Sequence, residues 1–175
     1  MRSILAAAAF LAFAGAAQAA PLAIAKPAFA PEAQRSLTQN YGARDGEQLA
    51  AYAQQALTRR LAAAGAEIAP AACVRLETTI VAVRPNKPTF KQLADRPGLD
   101  YARSYSLGGA EISGRFVDAN GAIIRTFSRR WYETDLRNAR GLFAWSDAER
   151  AIRFYADDAA KLYRASAALH ARPVS

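Results

Sequence analysis

Four arginines, Arg115, Arg125, Arg129 and Arg130, stand along SGRFVDANGAIIRTFSRRWYETD, residues 113–135, together with Phe127 and Trp131. A guanidinium is a rigid fork of donors that grips carboxylates and phosphates at two points. Residues of these types suit an anionic ligand if the chain brings them onto one surface. DANG, residues 118–121, is hairpin chemistry, because Gly121 tolerates a positive φ and Asp118 can accept from the backbone two residues on. If Asp118 pairs with Ala122 around a bulged turn, Arg115 faces Arg125, Glu111 faces Arg129, and Trp131 lies across Gly109. One side of the hairpin then holds Ala110, Ile112, Phe116 and Ile124 as core. The other holds Glu111, Arg115, Arg125, Phe127, Arg129 and Trp131. Glu111–Arg129 would be a cross-strand ion pair contributing about 0.2–1 kcal/mol. Arg115 and Arg125 would be opposed like charges, unfavourable unless an anion lies between them. The expected ligand-binding set is therefore Arg115, Arg125, Phe127, Arg129 and Trp131. The plainer alternative is that the two arginines turn to water or meet Glu77 or Asp118. A one-residue shift of register would also separate them and send every side chain to the opposite face.

Catalytic chemistry is harder to assemble. The chain has one histidine, His170, five residues from its end, so Ser–His and Cys–His nucleophile systems and a His-ligated zinc site are not expected. There is no Gly-x-Ser-x-Gly, P-loop or dinucleotide glycine pattern, and the Gly108–Gly109 pair falls in a strand. Two carboxylates about 5–10 Å apart suffice for glycoside hydrolysis, and Glu133 with Asp135 is the nearest approach to such a pair. Asp147 and Glu149 are better explained as first-turn helix acids, and Asp157 and Asp158 point apart. We therefore expect a non-catalytic protein with no cofactor and no metal.

The setting supports an anionic partner. The chain has 23 Lys+Arg against 15 Asp+Glu, a formal charge of +8. MRSILAAAAFLAFAGAAQA has a basic start at Arg2, an apolar run and an Ala-x-Ala site, the pattern of a signal peptide cut after Ala19. The run is short for a membrane span. The lipid-bearing cysteine of a lipoprotein does not follow the cleavage site, since the one cysteine is Cys73. A chain exported to the periplasm or beyond meets lipopolysaccharide phosphates, anionic head groups and acidic proteins, and nucleic acid is not expected. A single cysteine permits no internal disulfide, and Cys73 reads as a buried, inert thiol.

The elements that must position these residues follow from hydrophobic period and punctuation. Residues 20–44 form a proline- and alanine-rich lead, suited to a short strand or an extended arm. Asp45 caps a helix over 45–64, with Leu49, Tyr52, Ala53, Ala56, Leu57, Leu61 and Ala64 on one face and Gly65 as its stop. CVRLETTIVAVR, 73–84, is a strand, and the prolines of 85–103 confine that loop to a turn or two of helix. The hairpin occupies 104–134. Ser146 and Glu149 form a capping box before a helix over 147–169, with Ala148, Ile152, Tyr155, Ala159, Leu162, Ser166 and Leu169 as its seam. The expectation is an α+β domain over 45–170, an antiparallel sheet of three to four strands with both main helices on one face, and a short tail over 171–175.

The run from NKPTFKQLADRPGLDY through WYETD, followed by WSDAERAIRFYADD, resembles small exported bacterial proteins of unknown function. These share a signal peptide, a helix, a meander of strands and a C-terminal helix. The resemblance spans about residues 45–165, implies the same α+β layout, and carries no active site. Three functions remain: an envelope protein binding an anionic component or another envelope protein through the hairpin, an assembly protein using the C-terminal helix or a sheet edge, and a carboxylate cell-wall hydrolase.

Overall fold

The structure is a computed structural model and describes residues 21–138 and 143–170, with side chains as far as Ser166. The expected signal peptide, the tail 171–175 and the side chains of Leu169 and His170 lie outside the described residues. Elements run β1 (Leu22–Ile24), β2 (Ala28–Phe29), α1 (Pro31–Ser36), a π-helical turn (Leu37–Tyr41), α2 (Ala43–Ala63), β3 (Val74–Arg84), α3 (Phe90–Asp95), β4 (Gly109–Val117), β5 (Ile123–Tyr132) and α4 (Ser146–His170). The strands make a five-stranded sheet in the order β1-β3-β4-β5, with β2 also paired to β3.

The layout is α+β, and the sheet is mostly antiparallel. Its departure from the expected pattern is at the N-terminal end, where β1 and β2 both run parallel to β3. Pro27 and Pro31 break the lead into short pieces, and those pieces add to the sheet. Leu22 and Leu37 are completely enclosed by it.

α2 buries Leu49, Ala53, Leu57 and Leu61 on one stripe. Each enclosed leucine contributes about 1.5–3 kcal/mol through removal from water. Gly65, at φ 92°, lets its N–H reach the Ala62 carbonyl and the Ala66 N–H reach that of Leu61, which satisfies the last turn. The N-terminus differs from expectation. The helix starts at Ala43 without a side-chain cap, because an Asp45 oxygen accepts from the Trp145 indole N–H at 2.8 Å instead. Where a capping box is expected at Ser146 and Glu149, the Ser146 hydroxyl turns back to the Phe143 backbone and the Glu149 N–H donates to the Trp145 carbonyl at 2.8 Å. A capping box does form at Thr89 and Gln92, opening α3 inside the proline-rich loop.

α4 lays Ala148, Ile152, Tyr155 and Ala159 against β4 and β5, all at most 1 % exposed, and packs beside α2. The first four residues of the expected seam are thus buried between the sheet and α2. Cys73 is exposed, contrary to the expected buried thiol, because it precedes the first paired residue of β3.

Candidate binding face

Register decides what the hairpin presents. Asp118 pairs with Ala122 as expected, its N–H donating to the Ala122 carbonyl at 3.0 Å while its carboxylate accepts from Asn120 and Ala122. The ladder then slips, because Val117 pairs with Ile123 but Phe116 pairs with Arg125. Ile124 is the extra residue of a β-bulge, and a bulge exchanges the two faces of everything beyond it. Arg115 therefore faces Thr126, Glu111 faces Arg130, and Trp131 faces Ala110. The opposed pair Arg115–Arg125 does not exist.

Four of the five residues expected together lie on the helix side. Phe127 stacks between Phe116 and Tyr155, with ring centroids 5.7 and 4.9 Å away. Arg129 turns to Asp158 of α4, its Nε 2.7 Å from the carboxylate. Trp131 meets Phe154 edge-on at 5.7 Å and carries the Arg150 guanidinium over its ring at 5.3 Å. Arg125 is exposed beyond the helix. Phe127 can enter this layer only because Gly114, its partner, has no side chain. A Cβ there would sit 2.0 Å from the Tyr155 hydroxyl, which is itself bonded to Thr78 at 3.0 Å.

Arg115 alone of the five remains on the outer face of the sheet, in company the sequence did not suggest. Glu77 lies opposite it on β3 and accepts from both Arg75, at 2.7 Å, and Arg115, at 2.7 Å. These guanidiniums, Arg75 foremost, hold the Glu77 carboxyl below its usual range. One carboxylate thus serves two cations. Beyond it, Thr79, Ser113, Thr126 and Ser128 floor a shallow depression of about 660 Å³. At its far side Arg84 and Arg130 both lie over the Tyr132 ring, at 5.4 and 5.8 Å, and Arg130 stands 3.8 Å from Glu111. A second bulge, at Val81 of β3, brings Arg84 to this face and Val83 to the core.

The outer face of β3–β5 therefore carries Arg75, Arg84, Arg115 and Arg130 against Glu77 and Glu111. Hydroxyls separate the two arginine groups. Guanidiniums and hydroxyl donors on such a surface are chemistry that suits an extended anion. Arg75 could have been found from the sequence by its alternation with Glu77. Arg130 could not, because the bulge that exposes it has no glycine or proline to announce it.

The carboxylate pair is differently engaged. Glu133 accepts from the Thr134 and Asp135 N–H groups, which lower its pKa, and Asp135 is gripped by Arg137 at 2.7 Å with the same result. A hydrolase of this kind needs one carboxyl held protonated, and both members of this pair are held ionised. Behind Glu133, Asp147 is 1 % exposed and its pKa is raised, chiefly by burial. Its backbone N–H donates to Asn86, which is wholly enclosed, and Gly108 leaves room for both side chains. This cluster ties the long loop to the start of α4. Nearby, the Lys87 ammonium sits 5.2 Å from the rings of both Tyr101 and Tyr105. Among the described residues there is no group of three or more His, Cys, Asp or Glu placed to hold a metal, and no helix long and apolar enough to cross a membrane.

No family model and no curated protein matches the chain. Among solved structures it is similar to the PelC dodecamer from Paraburkholderia phytofirmans, at 17 % identity, with 80 % of this chain and 86 % of that one covered and a TM-score of 0.44. It is also similar to a Xanthomonas campestris protein of family DUF330, at 14 % identity over 88 % and 89 % of the two chains, TM-score 0.46. A third is a putative lipoprotein from Caulobacter crescentus, at 17 % identity over 73 % and 88 %, TM-score 0.33.

Proposed function

We propose that this is a non-catalytic protein of the bacterial envelope whose outer sheet face binds an anionic component or an acidic partner. The observation that carries it is the arginine excess on that face, four guanidiniums against two carboxylates around an open, hydroxyl-floored depression. The envelope setting rests on the expected leader at residues 1–19 and the basic composition of the chain. A sheet face left to solvent is normally polar with mixed charge, and here the mixture is one-sided. A partner helix on the α4 seam finds less support, because Ala148, Ile152, Tyr155 and Ala159 of that seam are already buried.

The test compares two charge-matched double variants. Arg115→Gln with Arg130→Gln removes two charges from the face, and Arg59→Gln with Arg164→Gln removes two exposed charges from the helices. Affinity for poly-glutamate and for phosphatidylglycerol vesicles is measured at fixed ionic strength. The first pair should weaken binding several-fold more than the second. Equal losses would mean that the whole charge of the protein acts, and the face would have no part of its own.

A further inference from the structure

We propose that the free edge of β5 takes an extended acidic segment of another polypeptide, which adds to the sheet as a further strand. This rests on the outer face being the anion-binding surface, and it names the partner that the surface takes.

β5 ends the strand order and, among the described residues, pairs with β4 alone. The Glu133 N–H donates to the Gly108 carbonyl at 2.9 Å, which fixes the alternation of the ladder. Arg125, Phe127, Arg129 and Trp131 then turn their backbone groups toward β4, while Thr126, Ser128 and Arg130 turn theirs outward. The residues with free backbone groups are thus those whose side chains line the outer face. Exposed edges recruit other strands, and proteins blunt them with proline, charge, bulges, short length or a cover; the bulge of β5 lies at its turn end and its charge is of one sign, which bars some strands and admits others. β5 is ten residues long and has no proline.

Charge selects what the edge can accept. The strand contains Arg125, Arg129 and Arg130 and no acidic residue. A second copy of the chain would bring three more arginines and no carboxylate to the same edge, which raises the like charge there. An acidic strand is favoured by the same arrangement. Its residues on the outer side would lie beside Arg130. Those on the inner side would lie beside Trp131 and Phe154, which is 39 % exposed and already in contact with the indole. Acidic residues alternating with apolar ones fit both sides, while main-chain bonds supply affinity that does not depend on side chains.

The probes are a ten-residue peptide of alternating glutamate and valine and its lysine–valine counterpart. The glutamate peptide should bind the folded protein about ten-fold or more tighter than the lysine one. Ser128→Pro removes one outward N–H and no bond to β4, so circular dichroism should be unchanged while affinity falls about ten-fold. Should that variant unfold, the wild-type protein is tested with glutamate peptides N-methylated at alternate residues in either phase. One phase should then bind about ten-fold more weakly, and equal binding of both would overturn strand addition. Binding that survives Ser128→Pro but is lost with Arg115→Gln and Arg130→Gln would also overturn it, and would leave the anion-binding face intact. Absence of binding by the glutamate peptide, or a dimer abolished by Ser128→Pro, would overturn the acidic partner.

Discussion

Glu77 is the residue on which the charge of the outer face turns. It neutralises one of the two guanidiniums it touches, so Glu77→Gln should free both for a ligand and tighten poly-glutamate binding about two- to five-fold, by isothermal titration. Asp147 makes a different kind of prediction. Burial raises its pKa above the unfolded value, so the folded state holds this proton more tightly and loses stability as pH rises through the folded pKa. Asp147→Asn should therefore raise Tm relative to wild type at pH 7, with the advantage shrinking as pH falls toward 4. A gain independent of pH would show that the carboxyl charge is not the cause. Tyr155→Phe leaves the buried Thr78 hydroxyl without its partner and should cost about 1–2 kcal/mol in urea unfolding.

At the scale of elements, the bulge at Ile124 does more than any side chain to shape the surface. It exchanges the faces of β5, sending Phe127 into the stack with Tyr155 and Arg130 outward. Deleting this extra residue would close the bulge and leave Phe116 opposite Arg125 and Gly114 opposite Phe127, so the stack and Arg129–Asp158 should survive and urea unfolding should change by about 1 kcal/mol or less. Gly114→Ala tests the same stack from β4 and should cost about 1–3 kcal/mol, because the enclosed Tyr155 ring would have to move. The turn at Asp118–Ala122 was legible, since aspartate and glycine act through their own backbone there. The bulge two residues on was not, because Ile123 and Ile124 offer no local chemistry that favours one register. Helix extents were legible from apolar spacing, whereas their caps were not. Asp45 accepts from Trp145, a contact set by the fold, and Ser146 turns to the backbone of Phe143, on the loop side of the helix start rather than the helical side.

Among the described residues, α2 and α4 pack on one face of the sheet, and the other face of β3–β5 is polar. α2 and α4 cover the inner face through alanine, leucine, isoleucine and Tyr155, and they pack beside each other there. The outer face and the β5 edge are what remain, and both are arginine-rich. Composition alone points to an anionic partner, and the function proposed above keeps part of the hairpin in the binding face. Of the residues expected to act together, however, only Arg115 stands on the outer face, joined there by Arg75, Arg84 and Arg130 across strands far apart in sequence. The most direct test is amide chemical-shift mapping of the protein titrated with poly-glutamate. The account predicts shifts concentrated at Thr79, Ser113, Arg115, Thr126, Ser128 and Arg130. Shifts concentrated on the exposed arginines of α2 and α4, with β5 unmoved, would contradict it.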